Sequence, residues 1–190
     1  MIMKMKIGIS GAQGSFSEEA AREYAKKWLK TRDFEPKYLI SAENVLLAVE
    51  MGEVDLGVFP IENSSGGIVL EAVYAMAKHR FSIKQIFDID IRQNLLVKKG
   101  VSAQKIKTVT SHEQALKQCK AYLTRKWPKL KRKEYADTAK AAADLAAGVL
   151  PATTAVIASR TAAEIYGLDI LEANVQDLKT NATTFIAAVK

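Results

Sequence analysis

The stretch from Val54 to Gly67, VDLGVFPIENSSGG, limits the available folds most. Val54, Leu56, Val58 and Phe59 form a short run of β-branched and large apolar residues, which suits a buried strand. Pro60 has no N–H to donate and is expected to stop the ladder. Glu62, Asn63, Ser64 and Ser65 then lead through Gly66 and Gly67 into an apolar helical pattern. Small polar residues at the carboxyl end of a strand, beside a helix start, are where open α/β sheets hold ligands. The free N–H groups of that helix start attract anions. Ser and Asn serve equally well there as caps of a plain strand-to-helix turn.

The rest of the chain repeats this alternation of strand and helix. Lys4–Ser10 reads as a first strand, followed by the turn GAQGSFS and a helix to about Lys30, with Ser15 and Glu18 at capping-box spacing. The turn matches neither G-x-G-x-x-G nor the Walker pattern. Lys37–Ile40 is expected as a strand, Ala42–Met51 as a helix closed by Gly52, and Ile68–His79 as another helix. His79 stands at the end of that helix, where a cation suits the dipole, and is read as a cap. Apolar segments around Ile83–Ile89 and Ile91–Val97 precede a strand at Lys107–Thr110. Ser111 and Gln114 fit a second capping box, and seven residues on, Gln118 shares the helix face of Ser111. Further strands are expected at Lys133–Ala136, Ala155–Ala158 and Asp169–Ala173, and an apolar terminal strand follows Asn181. Strands alternating with helices imply an α/β fold with largely parallel sheets.

Composition narrows the function classes. A chain of 190 residues with 48% hydrophobic and 26% charged residues is ordinary globular material, long enough to bury a core unaided. No apolar run approaches a membrane span, and MIMKMKIGIS leads straight into a strand pattern rather than a signal peptide. One cysteine and two histidines offer neither an internal disulfide nor zinc spacing, so no cofactor and no metal are expected. The net charge of +7 suits an anionic metabolite or simple solubility. The densest basic run, Lys126–Lys133, contains Pro128 and reads as a solvated loop, and no nucleic-acid module is visible.

Five stretches resemble the prephenate dehydratase family. PIENSxxG at Pro60–Gly67 is similar to its central motif, and Ser111–Cys119 reproduces its SHxQALxQC pattern in full. GAQGSFS resembles the family's GPxGTFS, with Ala12 and Ser15 as replacements. Gln93 stands where the family's I-x-H-x-L has His. The terminal signature N-x-T-R-F is kept at Asn181, Thr183 and Phe185, but Thr184 replaces its Arg.

The resemblance implies two lobes like those of a type II periplasmic binding protein, with two crossovers and a ligand between them. Lobe one is expected at about 1–85 plus 177–190, and lobe two at about 86–176. No ACT domain, the family's phenylalanine sensor, is expected in this chain. The implied reaction is conversion of prephenate to phenylpyruvate, water and carbon dioxide, in phenylalanine biosynthesis. Thr183 matches the family's catalytic Thr. Asn63, Ser64, Ser111, Gln118, Thr184 and Phe185 fall on substrate-binding positions. An Arg at 184 offers a bidentate charge that Thr184 lacks, a contact worth roughly 1.5–3 kcal/mol. Arg92, Arg160 and Lys179 are candidates to compensate. The alternatives are an arogenate dehydratase, a decarboxylase-like relative, and a non-catalytic protein that binds an acidic metabolite. A cytoplasmic homo-oligomer, dimer or tetramer, would be in keeping with the family.

Overall fold

The computed structural model describes residues 4–190; Met1 to Met3, the start of the N-terminal stretch discussed above, lie outside them. The chain divides into two units, one running up to Asp90 and rejoined by Asn181–Lys190, the other Ile91–Thr180.

In the first unit, β1 (Lys6–Ile9), β2 (Glu35–Tyr38), β3 (Leu56–Asn63), β5 (Ser82–Asp90) and β11 (Ala182–Val189) line up in the order β2-β1-β3-β11-β5, and the short β4 (Gly67–Ile68) pairs back onto β3. β1 pairs in parallel with β2 and β3, whereas β11 runs antiparallel to both β3 and β5. Helix α1 (Phe16–Lys27) covers one face. Its Tyr24, with Trp28 just beyond, packs on Phe87, which stacks on Phe185 at 6.0 Å. Helices α2 (Ala42–Met51) and α3 (Leu70–Lys78) cover the other face, over Phe59, Ile186 and Ala188. α1 starts where Ser15 Oγ accepts from the Glu18 N–H, and Gly11 is required beside it. A Cβ on Gly11 would sit 2.4 Å from that same Oγ. Gly52 closes α2 in the left-handed conformation at φ 72°, as its position predicts.

Pro60 does not end β3. The strand continues through it to Asn63, and the register against β11 shifts there: Phe185 lies opposite Pro60, but Thr184 lies opposite Glu62. Ile61 is the extra residue, a bulge beside the residue that cannot donate to a ladder. The helix start also lies later than expected. Gly67 and Ile68 form a hairpin strand with Asn63 and Glu62, and α3 begins at Leu70 without a side-chain cap.

In the second unit, β6 (Asn94–Val97), β7 (Thr108–Ser111), β8 (Lys131–Glu134), β9 (Thr154–Ala158) and β10 (Asp169–Glu172) take the order β10-β6-β9-β7-β8. β7 is parallel to β8 and β9, while β6 is antiparallel to β9 and β10. Both sheets are therefore mixed, with more antiparallel pairing than strand-helix alternation implies. α4 (Glu113–Gln118), α5 (Lys120–Lys126), α6 (Thr138–Ala146) and α7 (Arg160–Tyr166) complete the unit. Leu95, Val109, Cys119, Leu123 and Ile157 are central to one core cluster, and Leu96, Ala142, Leu145 and Val156 to another. The basic run is only partly loop. Lys131, Arg132 and Lys133 are exposed on β8, where charge discourages edge pairing. Among the described residues, no helix is long and apolar enough to cross a membrane.

Candidate active site

In the first unit, the polar centre forms where β3 ends against the start of β11. The register puts Asn63 directly opposite Thr183. Asn63 Nδ2 donates to Thr183 Oγ1 at 2.7 Å, and also reaches the Ala182 carbonyl and Asn181 Oδ1, each at 3.2 Å. The other end of the Asn63 amide accepts from the backbone N–H groups of Ser65 and Gly66, both at 2.9 Å. Those backbone donors fix the amide's orientation, since only the oxygen can accept from them. Thr183 is thus held as an acceptor, and among the described residues its own hydroxyl proton has no partner. It is 7% exposed. Ser64 clasps the same place: its N–H donates to the Ala182 carbonyl, and its Oγ accepts from the Ala182 N–H at 3.0 Å.

Thr184 faces the other way, as alternation along a strand requires. Its cross-strand neighbours are Glu62 on β3 and Asp88 on β5, and its Oγ1 donates to Asp88 Oδ1 at 2.6 Å. Phe185 returns to the face of Thr183, but its ring lies in the aromatic core on Phe87, 1% exposed. Burial on that scale is worth about 1.5–3 kcal/mol to the fold.

In the second unit, Ser111 is the last residue of β7 and fully buried, with Oγ donating to the Ile157 carbonyl of β9 at 2.6 Å. It does not cap the helix. His112 does, its Nδ1 accepting from the Gln114 N–H at 3.2 Å. Ser111 and Gln118 therefore share no helix face, because α4 starts after Ser111. The helix also breaks at Cys119 (φ −113°, ψ 17°), so Gln118 is its last residue. Burial pushes the Cys119 thiol up to about 12, with the Asp177 charge adding to the effect, so it is no nucleophile.

Gln118 has a partner that spacing did not reveal. Gln93 Nε2 donates to Gln118 Oε1 at 3.0 Å, which leaves the Gln118 amide nitrogen unengaged among the described residues. Gln93 is itself 3% exposed and held by its backbone: its N–H donates to Gln176 Oε1, and its carbonyl accepts from Val175. Asp177 then accepts from the Ala121 and Tyr122 N–H groups of α5, both at 2.8 Å, which ties the segment beyond Gln176 to the helix after Gln118. A Gln at 93 keeps a side-chain donor where the resembled motif has His. Its Oε1 is buried without a hydrogen-bond partner among the described residues.

His79 is no part of either cluster. It follows α3, with Nδ1 2.8 Å from Glu50 and Nε2 3.1 Å from Glu43, and the two carboxylates, Glu50 foremost, hold its pKa above the ordinary value. No group of three or more metal-ligating side chains occurs among the described residues.

The family model for prephenate dehydratase matches residues 7–190. The chain belongs to the prephenate dehydratase family. It is 35% identical over 184 residues to arogenate dehydratase/prephenate dehydratase 6, chloroplastic, of Arabidopsis thaliana, covering 96% of this chain and 42% of that protein. It is 34% identical over 176 residues to a bifunctional chorismate mutase/prephenate dehydratase of Buchnera aphidicola, covering 93% of this chain and 45% of the relative. This prephenate dehydratase-family chain thus spans less than half the length of those curated relatives. Among solved structures it is similar to the prephenate dehydratase from Arthrobacter aurescens, solved in complex with L-Phe. The TM-score is 0.84 at 25% identity, over 98% of this chain and 60% of that one.

Proposed function

We propose that this chain catalyses the decarboxylating dehydration of prephenate to phenylpyruvate. The observation that carries the proposal is the Asn63 to Thr183 hydrogen bond, which orients a buried hydroxyl and leaves its proton to give. The C–C bond to the ring carboxylate breaks, and its electron pair moves into the ring. The π electrons shift along, the C–O bond breaks, and its pair leaves with the hydroxyl. The departing hydroxide takes a proton that originates from water, so one dianion and one proton become a monoanion, carbon dioxide and water. Thr183 donates to the oxygen as charge develops on it. Its neighbour Asn63 draws electron density from Oγ1 and makes the hydroxyl a better donor.

Ser64 and Gln118 retain unengaged donors and are assigned to the oxygens of the substrate, Gln118 through the amide nitrogen that Gln93 leaves free. The role assigned to Ser111 is to hold β7 against β9, since its hydroxyl is taken up there. Phe185 anchors β11 in the core. Thr184 is left out of the substrate set: a cation at 184 has Asp88 and Glu62 as its cross-strand neighbours, which gives the signature Arg a partner within the sheet. A cytoplasmic homo-oligomer is part of this proposal, supported by the resemblance alone; cell fractionation and light scattering check it.

Names of relatives favour a second substrate, arogenate, which carries an amino group where prephenate has a ketone. The test is to mix purified protein with each substrate and follow phenylpyruvate absorbance or phenylalanine by mass. Turnover by wild type and loss of about 10²-fold or more in Thr183→Ala support the proposal. Turnover that survives Thr183→Ala at near wild-type rate contradicts it.

A further inference from the structure

Asn181 is 2% exposed, and its Nδ2 is buried without a hydrogen-bond partner. The orientation of this amide follows from its hydrogen-bond partners on β3 and the turn after it. The Ser65 and Gly66 N–H groups make one end of the Asn63 amide its oxygen, so the end facing Asn181 is nitrogen. Asn63 Nδ2 then meets Asn181 Oδ1 at 3.2 Å, and Ser65 Oγ donates to the same oxygen at 3.3 Å. The free end of Asn181 is therefore the donor. A buried amide nitrogen without an acceptor is costly, and native proteins rarely leave one so. One Asn63 nitrogen touches both Thr183 Oγ1 and Asn181 Oδ1, so the Asn181 amide lies next to Thr183 and carries two uncommitted N–H bonds on its other end.

We propose that Asn181 is a second catalytic donor, which hydrogen-bonds through Nδ2 to the departing hydroxyl oxygen alongside Thr183. This role deepens the dehydratase reading and rests on it. Asn181 transfers no proton. The oxygen leaves with the C–O electron pair and is protonated from water, while Nδ2 and the Thr183 hydroxyl stabilise its developing charge. Two donors on one leaving oxygen resemble the pair in an oxyanion hole. They answer the weakness of a Thr hydroxyl acting alone.

The test compares Asn181→Asp and Asn181→Ala with wild type across pH, using prephenate or whichever of the two substrates wild type turns over. Asp keeps Oδ1 for Asn63 and Ser65 but replaces the donor with an oxygen. Its kcat falls about 100-fold at about pH 8. Burial raises the pKa of such a carboxyl, and once protonated it donates again, so activity recovers as the pH falls toward about 5.5. Ala shows the loss without the recovery. In Thr183→Ala protein, added substrate moves the Asn181 side-chain NH₂ resonances, a readout that needs no active variant at 181. An Asn181→Asp enzyme within threefold of wild type at every pH, or unmoved resonances in protein saturated with substrate, overturns the role of Asn181 and leaves the dehydratase reading intact. Failure of wild type to turn over either substrate overturns both.

Discussion

Thr183 and Thr184 are adjacent on β11, and they meet opposite chemistry. Thr183 accepts from an amide whose orientation the backbone fixes, and keeps a proton to give. Thr184 spends its proton on Asp88 and has Glu62 as its other cross-strand neighbour. One residue along a strand exchanges a site fit for an anionic substrate for one fit for a cation. The departure from the signature Arg falls on the second side. There it changes strand-to-strand pairing at a half-buried position between two exposed carboxylates and leaves the amide network untouched.

The comparison can be broken first on the Thr183 side. Asn63→Leu removes the donor to Thr183 and strands the Ser65 and Gly66 N–H groups. It is expected to lower kcat/KM by about 10²–10³-fold, with steady-state kinetics as the check. It also costs about 1–3 kcal/mol in urea unfolding for the polar groups left unpaired. Next is the support of Gln118. Gln93→Leu leaves Gln118 Oε1 without its donor and is expected to raise KM about 10-fold with a smaller effect on kcat, whereas Gln93→His stays within about threefold of wild type. On the other side of β11, Thr184→Arg sharpens the contrast. It pairs with Asp88 and adds at most about 1 kcal/mol of stability, because Asp88 is solvent-exposed, and the gain fades in high salt. Turnover changes less than about threefold. A large rise in substrate affinity in Thr184→Arg would instead return this position to the substrate.

The smallest effect lies far from both residues, at His79. Its raised pKa means that its stabilising contribution is fully present below its unfolded pKa and is lost as pH rises through the folded value. Glu43 and Glu50 are lowered, with the hydrogen bond to His79 as the main cause, so their contribution is present above their unfolded pKa and is lost as pH falls. The contribution of this cluster is therefore greatest in mild acid. His79→Gln is expected to flatten that part of the stability profile, removing the decline that wild type shows as pH rises above the ordinary histidine range, and to leave kcat unchanged, which thermal melts and kinetics together check.

Much of this was legible from residue order. Helix α2 and its Gly52 closure, the Ser15 cap and the apolar terminal strand all follow from local rules of propensity and capping. That Thr183 and Thr184 point apart follows from strand period, although the resemblance assigns both to the substrate. What escaped was set by partners distant in sequence. Local rules end the strand at Pro60, because nothing nearby announces that β11, far along the chain, pairs across a bulge at Ile61 and carries β3 on to Asn63. Ser111 looked like a cap, because cap spacing is local, whereas the carbonyl that takes its hydroxyl belongs to Ile157. The free Asn181 nitrogen and the Gln93 to Gln118 bond are invisible for the same reason. Both depend on which strand lies alongside which.

The most direct measurement is the ratio of kcat between Thr183→Val and Thr184→Val, each nearly isosteric and each deleting one hydroxyl from the same strand. The account predicts a loss of about 10²-fold or more for Thr183→Val and less than about threefold for Thr184→Val. Equal losses, or a larger loss at 184, would contradict it.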